Sequence, residues 1–139
     1  TMAGQGTFLG ARLEELETLL EGTGWDQRIG VCLDTCHLFA SGYEFRTPES
    51  YARLTDAMDR LFGLERVGCI HINDSAHARG RRLDRHSHIG EGEIGLSPFG
   101  YFITDERFSC VPCILETPLD GIGHGGDLAL LRKLQGGDE

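Results

Sequence analysis

Six side chains able to bind a metal ion fall at the ends of three short apolar runs or in one polar loop. The run IGVCLD ends in Asp34 and is followed by Thr35, Cys36 and His37. The run VGCIHIN carries His71, and VPCILE ends in Glu116. The polar loop between these two runs adds Asp84 and His86. Asp34, His37, His71, Asp84, His86 and Glu116 together offer three imidazoles and three carboxylates. Neutral imidazole with carboxylate is a donor set for zinc, manganese or iron, and no thiolate is needed. Asp84 and His86 are two apart, so in an extended segment they point the same way and can share one ion. Asp34 and His37, three apart across a strand-to-loop turn, could bind one ion or flank two. Neighbouring ions suit phosphoryl chemistry: one activates water, and the others hold the non-bridging and leaving oxygens.

Each residue alone also has an ordinary reading. An aspartate at a strand end often caps the next helix. A single histidine is more often a surface or hydrogen-bonded core residue than a ligand, the reading assigned to His77, His88 and His124. Six such residues at loop-facing positions together point to a metal cluster. Arg79, Arg81, Arg82 and Arg85 lie within seven residues of one another. That run fits a solvated loop or, beside a multi-metal site, a phosphate-contact loop. Cys110 and Cys113 form a lone C-x-x-C; zinc usually needs a second pair, so they read as two small residues where a strand begins.

The elements that must position these groups alternate. Leu9, Leu13, Leu16 and Leu20 predict an amphipathic helix over 9–21, ended by Gly22 and Gly24. Residues 29–34 form a first strand, apolar on both faces as in a buried parallel sheet. Thr47-Pro48-Glu49 opens a second helix with an N-cap, a proline in the first turn and an acid at the positive end. Its apolar stripe is Tyr51, Leu54, Met58, Leu61 and Phe62. Residues 67–73 form a second strand, 74–95 a long polar loop of the kind that is usually functional or disordered. Ser97-Pro98 opens a short helix over 97–104, 111–116 form a third strand, and 126–134 a last helix with Leu128, Leu131 and Leu134. The tail GGDE is expected to fray. Strands alternating with helices imply a parallel sheet with right-handed crossovers. In such folds the C-terminal strand ends carry the active site. The fold class is α/β, part of a (β/α)8 barrel or a small open sheet, with residues 1–139 as one domain.

Composition narrows the function classes. The 139 residues, 40% hydrophobic and 25% charged, form an ordinary globular mix. No apolar run approaches the ~18 residues a membrane helix needs, and TMAGQGTFLG has neither a basic start nor an apolar core, so nothing reads as a secretory signal. A net charge of −9 disfavours gripping nucleic acid by bulk charge. The arginine run qualifies that, and bound cations would offset the carboxylates. Five cysteines, an odd number with no sign of secretion, fit a reducing cytoplasm rather than a disulfide framework.

The motifs AGQG (3–6), GVCLDTCHLFASGY (30–43), HINDS (71–75), LDRHSHIGEGEIG (83–95) and ILETP (114–118) stand in order along most of the chain. In these stretches the sequence resembles the endonuclease IV family of apurinic/apyrimidinic endonucleases, DNA-repair enzymes built on a TIM barrel. LDTCH together with DRHxHIGxGxIG is highly specific. The resemblance implies that this chain covers roughly the C-terminal half of such a (β/α)8 barrel. It implies a trinuclear zinc site, with one ion on His37, Asp84 and His86. A second ion would be held by Asp34, His71, Glu116 and a bridging carboxylate. That bridging Glu would sit immediately before Thr1, and two histidines holding the remaining ion would lie further upstream. Only the His37, Asp84, His86 set is therefore complete here, and a single tightly held zinc is expected. The implied reaction is hydrolysis of the phosphodiester 5′ to an abasic site in double-stranded DNA by a metal-bound hydroxide, with the abasic sugar flipped into the pocket. Asp34 and Glu116 would then be catalytic as ligands that tune the water, not as free bases. Gly4, Gln5, Gly6 and Arg85 would contact DNA. A half-barrel leaves strand edges open, so the isolated chain is expected to be poorly stable, to self-associate, or to pair with the missing N-terminal half.

Two other readings share the residues. A TIM-barrel sugar isomerase or epimerase also gathers Glu, Asp and His around a divalent metal, but does not need the DRHxH loop with its arginines. A non-catalytic remnant would bind metal or abasic DNA without turnover.

Overall fold

The computed structural model describes residues 1–136. The expectation for the GGDE tail lies, beyond Gly136, outside the described residues. In chain order the helices are α1 (Leu13–Gly22), α2 (Thr35–Ser41), α3 (Pro48–Phe62), α4 (Ser97–Thr104) and α5 (Gly123–Leu134). The strands are β1 (Val31–Asp34), β2 (Val67–His71), β3 (Asp74–Ser75), β4 (His86–Ser87) and β5 (Cys113–Ile114). Short 3-10 turns at Leu64–Arg66 and Glu106–Phe108 lead toward β2 and β5.

β1, β2 and β5 form a parallel sheet in that order, the arrangement the alternation predicts. Asp34 pairs with His71, and His71 with Ile114, so the register brings the polar strand ends to one rim. Leu33, Ile70 and Ile72 are fully buried against the helices, in a core with Phe39, Phe45, Met58, Phe99 and Phe102. The strands are not apolar on both faces. Side chains alternate across a strand, and the face opposite the helices carries Cys32, Asp34, Cys69, His71 and Ile114. Of these Asp34 is buried, while Ile114 is 46% exposed.

Several boundaries differ from expectation for local reasons. α1 begins at Leu13, not Leu9. The Glu15 carboxylate accepts the N–H groups of Gly10, Ala11 and Arg12 at 2.9, 3.1 and 3.2 Å, and this closes the helix start there. Leu9, left outside, is exposed. α2 is an added helix, and it carries His37. It is capped by Asp34, whose Oδ1 accepts from the His37 N–H at 2.8 Å, and it ends at Gly42, where φ is +118°. α3 starts as predicted, with Thr47 and Ser50 capping each other's N–H groups. Within the polar loop, β3 and β4 pair antiparallel. The third strand keeps regular pairing only at Cys113–Ile114, though Ile70 and Ile72 also donate to Pro112 and Ile114. α5 starts three residues early, and its Leu128 faces solvent while Leu131 is buried.

Candidate metal centre

The six residues singled out by type line one cleft at the C-terminal ends of the parallel strands. Asp34 lies at its centre. Its Oδ1 caps α2, and its Oδ2 accepts from Asn73 Nδ2 at 2.9 Å. The same Oδ2 lies 3.7 Å from His71 Nδ1, 3.8 Å from His86 Nε2 and 3.9 Å from His37 Nδ1. Oδ1 therefore meets the ordinary helix-cap reading, while Oδ2 is the oxygen turned toward the three imidazoles.

The donors resolve into two triads, each with its ligand atoms within 4.8 Å of one another: His37, Asp84 and His86, and Asp34, His71 and Glu116. In the first, Asp84 Oδ1 sits 3.1 Å from His37 Nε2 and 3.4 Å from His86 Nε2. In the second, His71 Nδ1 lies 2.8 Å from Glu116 Oε2. The two imidazoles of the first triad are oriented from behind. His37 Nδ1 is 3.0 Å from the Thr1 carbonyl and His86 Nδ1 is 3.1 Å from the Glu116 carbonyl. A carbonyl can only accept, so each Nδ1 carries a proton, and in the neutral ring Nε2 then keeps its lone pair. Both Nε2 atoms are buried without a hydrogen-bond partner. Buried polar atoms normally find one. An imidazole fixed through Nδ1–H with a bare Nε2 turned toward a carboxylate is the arrangement of a metal ligand. The donor set and these orphaned nitrogens fit a divalent cation of the zinc class.

Two residues outside the six organise the rim. Asn73, fully buried, donates to Asp34 and accepts the Glu116 N–H at 2.8 Å, tying the carboxylate of one strand to the backbone of another. Thr35 Oγ1 accepts the Asn73 N–H at 2.8 Å and donates to its carbonyl at 2.7 Å. The only sequence signal was position: both residues adjoin strand ends. Asp74, also buried, accepts four backbone N–H groups from the polar loop and so fixes the segment after His86.

His88 Nε2 is likewise buried and unpartnered, but among the described residues His88 joins no group of metal-competent side chains, and it follows the hydrogen-bonded core reading. Its Nδ1 meets Asp127 Oδ2 at 2.9 Å, and Asp127 also accepts from Thr117 Oγ1 and the Ile89 N–H. Burial would raise the Asp127 carboxyl, but hydrogen bonds from Thr117 and His88 outweigh it and hold it below the usual range. His124 Nε2 lies 2.8 Å from the Thr117 carbonyl. Cys36 is buried under the site, and burial pushes its thiol up to about 12.

The residues expected at DNA lie beside the cleft. Gln5 Oε1 accepts the Asp84 N–H at 3.3 Å, so the Gly4-Gln5-Gly6 turn directly touches the loop that carries Asp84 and His86. Arg85 is exposed next to Asp84 and His86. Arg81 and Arg82 are also exposed, whereas Arg79 is committed to the Gly42 carbonyl and to Glu44. Cys110 and Cys113 are both exposed free thiols, and among the described residues neither joins a metal-competent group. No described helix is long and apolar enough to cross a membrane.

Known proteins resemble this chain in sequence and in fold. The family model described as "Xylose isomerase-like TIM barrel" matches residues 1–134. A protein of Trichlorobacter lovleyi named "Probable endonuclease 4" is 52% identical over 136 residues, covering 96% of this chain and 48% of that protein. A Chloroflexus aurantiacus protein of the same name is 49% identical over the whole chain and 50% of its own length. The crystal structure of endonuclease IV from Thermus thermophilus matches with a TM-score of 0.78 at 40% identity, over 98% of this chain and 47% of that one. The chain spans about half the length of the curated relatives it matches.

Proposed function

This chain belongs to the xylose isomerase-like TIM-barrel family, in its endonuclease IV branch, and from that premise we propose that it supplies the zinc ligands of a DNA-repair endonuclease. The substrate is double-stranded DNA with abasic sites, and the bond hydrolysed is the phosphodiester 5′ to the lesion. The observation that carries this reading is the pair of orphaned, back-braced imidazoles, His37 and His86, converging on Asp84.

His37, Asp84 and His86 hold one ion; Asp34, His71 and Glu116 contribute to a second. Zinc bound there supplies Lewis-acid activation of water and neutralises charge on the phosphoryl oxygens. The chain's own residues do the positioning. Asn73 holds Asp34 against the Glu116 backbone, so the Asp34 carboxylate cannot swing away as the phosphate approaches. Both Asp34 oxygens are already hydrogen-bonded. That suits a ligand that tunes the attacking water and argues against a free general base. The Gly4-Gln5-Gly6 turn and Arg85 flank the cleft where phosphate contacts would set the register of the duplex. Five free thiols fit a cytoplasmic protein.

The test is twofold. The chain is titrated with zinc, then with a duplex carrying one abasic site and with its undamaged counterpart. A chimera joining this chain to the first half of the Trichlorobacter lovleyi relative is assayed for incision. Zinc-dependent preference for the abasic duplex, and incision 5′ to the lesion lost in His86→Ala, are expected. Equal binding of both duplexes, or sugar isomerisation by the chimera without incision, would overturn the reading.

A further inference from the structure

We propose that Cys32, Cys69 and His71 form a separate site for a soft metal ion, one side-chain layer below the centre already described. Cys32 on β1 and Cys69 on β2 are paired across the parallel ladder. They lie two residues before Asp34 and His71, so they point to the same face of the sheet as those residues. Their Sγ atoms and one His71 ring nitrogen all lie within 4.8 Å of one another. Both thiols are half-buried and unoxidised, and no step assigned to the six-residue centre uses either.

The donor chemistry sets the ligand class. The six-residue centre offers imidazole and carboxylate, suited to borderline and hard cations. The lower layer offers two sulfurs and one imidazole, with no carboxylate. Thiolates select zinc, cadmium or copper(I) over magnesium, calcium or manganese. Three protein ligands leave the fourth tetrahedral position for water or a small thiol. On binding, each cysteine forms an S–metal bond and releases its proton to solvent. His71 is shared between the layers. This inference concerns the thiol pair and stands whether or not the protein cuts DNA.

The probe is cadmium, whose thiolate complexes absorb in the ultraviolet by charge transfer. The full chain carries C110S/C113S so that the exposed pair cannot contribute. Cadmium should produce a saturable charge-transfer band at one equivalent. C32S or C69S should each halve the band, the double variant should abolish it, and Cys36→Ser should leave it unchanged. In the unmodified chain, cadmium should protect Cys32 and Cys69, but not Cys110, from alkylation read by mass spectrometry; this arm needs no variant to fold. A band that survives the double variant, a band lost in Cys36→Ser, or unchanged alkylation of Cys32 and Cys69 would overturn the proposal.

Discussion

Replacing Asp74 with alanine should destabilise the chain by up to about 4 kcal/mol and loosen the loop that carries Asp84 and His86, as four lost hydrogen bonds outweigh the relief of a buried charge. The carboxylate is fully buried. Its Oδ1 accepts the N–H groups of Ser75 at 2.7 Å and Ile94 at 3.0 Å; its Oδ2 accepts those of Gly90 at 3.0 Å and Gly92 at 3.1 Å. Gly92 approaches so closely that a Cβ there would collide with this carboxylate and with the Ser75 carbonyl. Alanine leaves four inward N–H groups unpaired. At the low end of the usual cost, ~1 kcal/mol for each, the loss is about 4 kcal/mol. Burial pushes the Asp74 carboxyl up despite the four N–H groups, so removing this charge offsets part of that loss. Asp74→Asn would fare little better, because the new amide nitrogen must face two N–H donors. Urea unfolding at neutral pH, followed by circular dichroism, measures the difference. The folded carboxyl holds its proton more tightly than the unfolded one. The wild-type advantage over Asp74→Ala should therefore widen as pH falls from the folded toward the unfolded value. Alanine within about 0.5 kcal/mol of wild type would refute the reasoning, since that is the scatter of an uninvolved surface site.

Asn73→Ala should weaken zinc binding about 10- to 100-fold by isothermal titration, the usual cost of losing a group that orients a ligand. A change confined to thermal stability would show that Asn73 only packs. Hydrogen bonding from Arg46 pulls the Glu44 carboxyl down to about 2, with Arg79 adding to it. The stability this pair adds is present above the unfolded carboxyl value and lost as pH falls toward 2. With the partial exposure of both side chains it should not exceed about 1 kcal/mol, and Arg46→Ala should remove that acid-limb loss from a pH series of melts. β1 and β5 are the outer strands of the three-stranded sheet, and Ile114 is exposed beside them. Sedimentation velocity should accordingly show self-association that grows with concentration, whereas a monodisperse monomer throughout would contradict the open-edge argument.

The strand ends were legible in sequence because each apolar run terminates in a group that cannot be buried without a partner. That feature, with the polar loop, located all six metal-competent residues, and the structure brings them to one cleft. Helix α2 was not legible: Thr35-Cys36-His37 reads as a turn rich in chemistry, and only the Asp34 cap shows that it is the first turn of a helix. Leu9 fitted the helical period, but the Glu15 carboxylate folds back over Gly10 and closes the helix start at Leu13. Both faces of β1 and β2 looked apolar because cysteine counts as apolar in a pattern. In three dimensions Cys32 and Cys69 share the metal-centre face. Asn73 and Asp74 stayed hidden for another reason. Their role lies in hydrogen bonds to residues some twenty to forty positions away, which no local spacing encodes.

The most direct measurement is zinc content after equilibrium dialysis, by elemental analysis of the chain and of its His86→Ala variant. The account predicts a single tightly held zinc in the chain, on His37, Asp84 and His86, and its loss in the variant while circular dichroism stays unchanged. No zinc in the chain, three zincs per chain, or undiminished zinc in His86→Ala would contradict it.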